Sequence, residues 1–406
     1  MFLNKNNVVC DIMGIHMIIN TENGAVVGVD DEGLKQYQSL SEVSEKVSMN
    51  QDLYQFLVEN EFISDAPFDK KKMTIMTAYI HVNNKCNLHC LGCYSDNAAR
   101  NKEGDLQSKD MMNILDELEA AGVENLIISG GEPLFRKDIV DLVKYAKKSC
   151  GIENITLITN GTVGNKDTYI GLAPYLDTIA VSLDTYSSKC PAYLRDEGIF
   201  NKIMVQIKQM QESGLKVSIL PTLHHKNTER MLDYIELSKQ LGTEISFSIF
   251  TTRQEKMYEE YTLSIKDLKY ISDHFSNYNI DDIPINNTLE GKRHCGTGCT
   301  MLSVGADGSV YPCHMLMEEQ FKMGNLTEKG LVEILEESKC QKRCWESDVK
   351  DIEGCKECDF KYLCGGGCRA RAYLVTGCIQ SPDPFCSMYK EFYKETFSTM
   401  MQKIRE

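Results

Sequence analysis

The chain has 406 residues, 42% of them hydrophobic and 25% charged, with a formal net charge of −15. That length holds two or three domains with a full core, in the composition range of soluble globular proteins. The acid excess disfavours a nucleic-acid partner, no stretch reaches the apolar length of a membrane span, and the N-terminus carries no signal-peptide pattern.

Without a secretion signal, the 17 cysteines read as metal or cluster ligands in a reducing cytoplasm rather than as a disulfide framework. In chain order, Val8 to Asp11, Ile15 to Asn20 and Ala25 to Val29 predict short strands, and Asn23-Gly24 predicts a hairpin turn because both residues tolerate positive φ. Amphipathic segments near Asp31–Leu40, Glu42–Val47 and Gln51–Asn60 predict three helices. After Pro67, the run Asp69-Lys70-Lys71-Lys72 predicts an exposed linker.

From Met73 to about Phe250, strand and helix patterns alternate. Strands are predicted at Met76–Val82, Asn125–Ser129, Ile155–Ile158, Thr178–Ser182, Val217–Leu220 and Ile245–Ile249. Ser108 is placed to cap the first intervening helix, and Gly214 and Gly242 end the later helices Asn201–Ser213 and Asn227–Leu241. Repeated strand–helix units mean a parallel sheet, and six of them suit an α/β fold, a partial (β/α)6 TIM-type barrel. Polar motifs follow four strands directly: Cys86 to Tyr94, Ser129-Gly130-Gly131-Glu132-Pro133, Thr159-Asn160-Gly161-Thr162, and Ser182-Leu183-Asp184-Thr185. Parallel barrels gather such strand ends on one face, so these motifs should meet in space.

Cys86, Cys90 and Cys93 have the spacing C-x3-C-x2-C. Three thiolates leave one iron of a 4Fe–4S cluster open to a non-protein ligand. A zinc knuckle is the alternative, but zinc sites usually show paired C-x2-C units and four ligands. Gly130-Gly131 lets a ligand come close to backbone, where carbonyls and Glu132 can accept from an ammonium group. Asn160, Ser182 and Asp184 suit ribose hydroxyls, or else are strand-end and cap residues.

A second cysteine group begins Cys295-x12-Gly308-x4-Cys313 and continues Cys355-x2-Cys358-x5-Cys364-x3-Cys368, then Cys386. Asp307-Gly308 predicts a tight turn that brings Cys313 back toward Cys295. Gly365-Gly366-Gly367 keeps the chain thin enough to wrap a cluster. Two zinc ribbons are the other reading. Cys299 is an extra cysteine of uncertain assignment. Cys10, Cys150, Cys190, Cys340, Cys344 and Cys378 read as small buried hydrophobes, although Cys340 and Cys344 share a helix face and could bind metal or form a redox pair. Phe385 to Glu406 predicts a closing amphipathic helix.

The first cysteine motif, with the glycine-rich loop, resembles the radical S-adenosylmethionine (SAM) superfamily, and the second group resembles its SPASM extension. The resemblance implies that SAM binds the open iron, that Gly130, Gly131, Glu132 and Pro133 contact its amino group, and that Arg195 pairs with its carboxylate. Many members carry an aromatic residue or histidine where this chain has Gly92, so the adenine contact there is backbone only, or Tyr94 takes the stacking role. Two auxiliary clusters are implied, one on Cys295, Cys313 and Cys368, the other on Cys355, Cys358, Cys364 and Cys386. His314 stands near the position of a carboxylate base in the related sulfatase-maturing enzymes and could act as a base.

The first seventy residues resemble, in order and size, a winged-helix PqqD-like precursor-recognition element, which pairs an edge strand with a leader peptide; a simple cap is the alternative. The expected domains are thus 1–70, 73–285 and 286–406. The implied function is maturation of a ribosomally made peptide in the cytoplasm: SAM cleavage, hydrogen abstraction and oxidative cross-linking, first as a cysteine thioether. Carbon–carbon cross-linking, formylglycine formation and a non-catalytic iron–sulfur carrier are the rivals. The implied partners are a precursor peptide with its leader and an electron donor such as flavodoxin or ferredoxin, with neither nucleic acid nor membrane.

Overall fold

The computed structural model describes every residue except 41–49, 69–74, 97–98, 103, 253, 276–288, 347 and 406. The helix expected at Glu42–Val47 and the linker at Asp69–Lys72 lie outside the described residues, as do the expected domain limits. The chain divides into two compact units. One comprises Met1–Lys72, Ile271–Cys295 and Ser347–Glu406, the other Met73–Tyr270 and Gly296–Glu346.

The first unit opens with β1 (Phe2–Leu3), β2 (Asn7–Ile12), β3 (Ile15–Asn20), β4 (Val26–Val29), α1 (Asp31–Ser39), α2 (Gln51–Glu59) and β5 (Ile63–Ser64). β2, β3 and β4 form the antiparallel meander expected, in that order, and β1 pairs with β5. Asp30 caps α1 by accepting from Gly33 N, and Asn50 caps α2 by accepting from Asp52 N and Leu53 N. Alternation along β3 buries both of its faces. Ile18 packs with Tyr37, Leu57, Phe62 and Ile63 beneath the helices, while Met17 and Ile19 join a different core.

The second unit carries the repeats: β6 (Thr77–His81), α3 (Ser108–Ala120), β7 (Asn125–Ser129), α4 (Ile139–Lys148), β8 (Asn154–Thr159), α5 (Lys166–Leu172), β9 (Thr178–Leu183), α6 (Phe200–Glu212), β10 (Val217–Leu223), α7 (Met231–Leu241), β11 (Glu244–Ile245) and β12 (Ser248–Ile249). β6 to β10 pair in parallel, each with the next. The sixth predicted strand is split in two, and both pieces pair with β10. Ser108 does not cap α3. It is the first helical residue, and its hydroxyl donates to Asp138 Oδ2 at 2.6 Å.

α8 (Glu255–Tyr261) and α9 (Ile265–Phe275) follow, then β13 (Met301–Val304), β14 (Ser309–Tyr311), β15 (Gly324–Asn325), α10 (Leu331–Glu337) and α11 (Lys339–Glu346). β13 pairs in parallel with the edge of β6 that β7 leaves free, and β14 and β15 add antiparallel strands. Residues of the cysteine-rich third thus extend the sheet of the repeats. The sequence pattern did not reveal this, because the three strands have only two to four residues each.

α12 (Lys361–Cys364), α13 (Arg369–Thr376) and α14 (Cys386–Arg405) complete the first unit. Phe360, Leu363, Phe392, Tyr393 and Phe397 share one core with Ile12, Met17 and Ile19 of the meander. No helix among the described residues is long and apolar enough to cross a membrane.

Candidate active site

The loop after β6 is built by its neighbours. Gly131 N donates to Asn83 O at 2.9 Å, Glu132 N to Lys85 O at 2.6 Å, and Asn83 Nδ2 to Glu132 O at 2.9 Å. Gly130 has φ +141, and a Cβ there would lie 2.6 Å from Asn83 O; a Cβ on Gly131 would lie 2.2 Å from Lys85 O. The two glycines therefore admit the backbone that leads into Cys86, a nearer need than ligand access.

Glu132 is turned inward. It is fully buried, its Oε1 accepts from Thr159 Oγ1 (2.8 Å) and Leu134 N (3.1 Å), and its Oε2 accepts from Asn160 N (2.7 Å). Burial pushes its pKa up to about 7, against the pull of those donors. The carboxylate locks the loops after β7 and β8 together, where the sequence suggested an ammonium acceptor. Pro133 opens a short 3₁₀ turn behind it.

Asn160, also buried, reaches the cysteine loop: Nδ2 donates to Asn87 Oδ1 at 3.0 Å and lies 3.9 Å from Cys86 Sγ. Its Oδ1 accepts from Thr162, whose hydroxyl accepts from Asn87 Nδ2 at 2.9 Å. Asp184 accepts from the amides of Tyr193 (2.6 Å) and Leu194 (3.0 Å), bending that segment back. Leu194 O then accepts from Leu91 N at 2.7 Å, Asp196 Oδ1 from His89 N at 3.3 Å, and Arg195 Nη1 stands 3.8 Å from Cys90 Sγ. Asp184 is thus a positioning residue for Arg195, and Ser182 is buried beside it in β9. Burial raises the Cys90 thiol and Arg195 opposes the rise.

Gly92 has φ +64, and a Cβ there would lie 2.6 Å from Phe250 Cε2. The buried ring of Phe250, just past β12, fills the space a side chain at 92 would need. Tyr94 leaves 44% of its surface open, but its hydroxyl reaches inward to Ser129 Oγ at 2.6 Å. Desolvation of that end pushes its pKa up to about 12. His314 stacks on Tyr79 at 4.1 Å and meets Tyr94 edge-on at 5.6 Å. Burial drives its pKa down to about 4. Its Nδ1 lies 3.8 Å from Cys313 Sγ. Asn87 and Thr162 lie within named motifs but were given no role, whereas Phe250 and Arg136, which donates to Val82 O at 2.8 Å, went unread because nothing local marks them.

The cysteine-rich third is split between the units. β13 and β14 form the hairpin expected around Gly308 (φ +83), which returns Cys313 to the turn holding Cys299 through a Gly298 N to Pro312 O bond of 3.0 Å. In the first unit, Cys355, Cys358, Cys364 and Cys386 line one cavity together with Gly366 and Asp383. Cys295 and Cys368 stand near enough for one thiolate to raise the other's pKa. Cys378 is exposed, contrary to expectation, and Cys344 is buried.

Among the described residues, no three His, Cys, Asp or Glu side chains converge on one point as a single metal ion requires. Cluster thiolates each take their own iron and need no common point, and the cavity lined by four cysteines fits such a group. The cradle of residues 83–94 likewise collects three cysteines at the strand ends.

Residues 80–238 match the radical SAM superfamily, and residues 295–359 match SPASM, an iron-sulfur cluster-binding domain. An AdoMet-dependent heme synthase of Methanosarcina barkeri is 26% identical over 74% of this chain and 93% of its own length. Mycofactocin maturase MftC of Mycolicibacterium smegmatis is 24% identical over 74% of this chain and 80% of its own length. The fold of Streptococcus suis SuiB bound to precursor peptide SuiA superposes with a TM-score of 0.64 at 18% identity, over 95% of this chain and 99% of that one. The loop of three cysteines at the strand ends falls within the first match, and Cys355 and Cys358 of the cysteine-lined cavity within the second, so the chain is a radical SAM protein with a SPASM extension.

Proposed function

We propose that the chain is a maturase of a ribosomally made peptide, and that the bond it forms is a cysteine thioether. The observation that carries the peptide reading is the meander with its helices. The likeness to SuiB extends over 95% of the chain, so it takes in this N-terminal part, and that structure holds a precursor peptide. The sheet order leaves β2 and β4 as edges among the described residues, with Val9 of β2 41% exposed. A leader peptide adds to such an edge through main-chain hydrogen bonds.

Cys86, Cys90 and Cys93 hold the SAM cluster, and the bound cofactors supply one-electron cleavage of SAM and a carbon radical able to take an unactivated hydrogen. The protein's own part is placement. Gly130-Gly131 and Glu132 set the cysteine loop, Asn160 and Ser182 present polar groups beside it, and Asp184 aims Arg195 at the same spot. Tyr94 exposes its ring there. Auxiliary clusters held by Cys295, Cys313 and Cys368 and by Cys355, Cys358, Cys364 and Cys386 would supply an electron acceptor for the oxidative step or a site for the substrate thiolate. A flavodoxin or ferredoxin in the cytoplasm supplies the low-potential electron.

Oxygen-free protein, reconstituted and given SAM, dithionite and a short peptide encoded beside its gene, should make deoxyadenosine and a product lighter by two hydrogens. Unchanged peptide mass with deuterium uptake would point to epimerisation instead. The heme synthase relative supports a second reading, with a haem precursor as substrate; turnover of such a precursor while the peptide is left untouched would replace the peptide reading. The Cys86→Ala/Cys90→Ala/Cys93→Ala variant should keep auxiliary iron and lose SAM cleavage.

A further inference from the structure

Each thiol in the loop after β6 has a polar neighbour that the cysteine spacing does not announce. Cys86 Sγ lies 3.9 Å from Asn160 Nδ2, Cys90 Sγ 3.8 Å from Arg195 Nη1, and Cys93 Sγ 3.2 Å from Ser95 Oγ. A second arginine reaches the same loop from the segment that follows it. Arg100 Nη2 donates to Leu88 O, between Cys86 and Cys90 in the chain. Leu88 is buried, and the Arg100 side chain is only 12% exposed.

The next residue fastens that guanidinium in place. Asn101 stands in the left-handed region at φ +59, which asparagine tolerates better than most side chains. Its amide donates to Asn84 O at 3.2 Å, and its Oδ1 accepts from Cys86 N at 2.8 Å. Arg100 and Asn101 thus hold the stretch from Asn84 to Leu88 at three points. Asp96 Oδ1 lies 3.5 Å from Arg100 Nη1, but Asp96 is 59% exposed, so water screens that pairing. Burial works to lower the Arg100 pKa, yet the charges of Cys93 and Cys86, a hydrogen bond to Cys93 and the charge of Asp96 lift it above its ordinary value. Burial raises the Cys90 thiol, and Arg100 opposes that rise along with Arg195. All three thiols therefore lie in the field of Arg100.

We propose that Arg100 tunes the reduction potential of the cluster on Cys86, Cys90 and Cys93, its fixed positive charge stabilising the negative charge gained on reduction. One electron enters from the external donor, no proton moves, and no bond to Arg100 forms or breaks. The proposal rests on the cluster assignment and is independent of the substrate.

The test is a redox titration of the reconstituted full-length protein without oxygen, followed by EPR with and without SAM. SAM reshapes the signal of the cluster it binds, so the responsive component separates that cluster from the auxiliary ones. Arg100→Gln keeps an N–H donor and loses the charge. At a fixed potential it should lower the ratio of reduced to oxidised cluster about tenfold, a shift of about 59 mV to the negative side for one electron. Arg100→Met is read the same way where Arg100→Gln does not retain the cluster. Arg100→Lys should stay near the parent. Asn101→Gly frees the Cys86 amide and leaves the charge, and the clusters it retains should reduce at the parent potential. A neutral variant with the parent potential overturns the proposal. So does an equal shift in Arg100→Lys or Asn101→Gly, which would be an effect of loop shape. Because the readout is a potential and not a product, failure of the peptide reading leaves this result intact.

Discussion

Gly131 shows how a single hydrogen in place of a methyl sets the site. The Cβ of alanine would stand 2.2 Å from Lys85 O, a backbone atom that moves only if the cysteine loop moves. Gly131→Ala should therefore cost about 1–3 kcal/mol of stability and lower iron retention at Cys86, Cys90 and Cys93. A variant with normal melting and full iron would show that the loop yields easily. Gly92→Ala meets the Phe250 ring at 2.6 Å and is held at φ +64; Phe250→Leu should restore part of the loss, whereas an effect of φ alone would not be rescued. Glu132 carries a pH signature. Its folded pKa, about 7, exceeds its ordinary 4.5, so its contribution is complete below pH 4.5 and fades as pH rises through 7. Melting temperature should fall across that window, and Glu132→Gln should flatten the slope. An equal slope in both proteins would place the titrating group elsewhere. Glu132 was visible as part of a motif, but its direction was not, since its three donors come from residues 134, 159 and 160.

At the level of elements, α13 is pinned by a buried ion pair. Arg371 Nε and Nη2 donate to Asp383 Oδ1 and Oδ2, both at 2.7 Å, and Asp383 also accepts from Cys368 N and Phe385 N. Breaking such a pair leaves an uncompensated charge in the interior, about 3–5 kcal/mol. Asp383→Asn should lose stability on that scale in denaturant unfolding and shed auxiliary iron, because the amide of Cys368 loses its acceptor. Iron content equal to the parent would separate the ion pair from the cluster. Strands of the repeats were legible because Asn125–Ser129 or Thr178–Ser182 are apolar runs bounded by turns, a local pattern. β13 was not, since Met301–Val304 becomes a strand only by lying along Thr77–Ile80. The same limit hid Phe250 behind Gly92 and Cys344 beside Gly298, contacts between segments more than forty residues apart in sequence.

For the molecule as a whole, β3 matters most. Met17 and Ile19 share a core with Phe360, Leu363, Phe392, Tyr393 and Phe397, which Cys358 and Cys364 also border. A chain lacking the first strands would bare that aromatic surface. Ile19→Ala should cost about 2–5 kcal/mol and reduce iron at Cys355, Cys358, Cys364 and Cys386, as measured by melting and iron assay. Full iron in a destabilised variant would show that the cavity stands without the meander. The order and size of the elements in the first seventy residues suggested a separate module; that its apolar side is spent on the distant C-terminal helix could not be read from either segment alone. If a leader peptide adds at the outer edge as proposed, a single β-strand would stand between that cargo and the metal-bearing core, and any coupling across it would be reciprocal, with cargo altering metal affinity by the same factor by which metal alters capture.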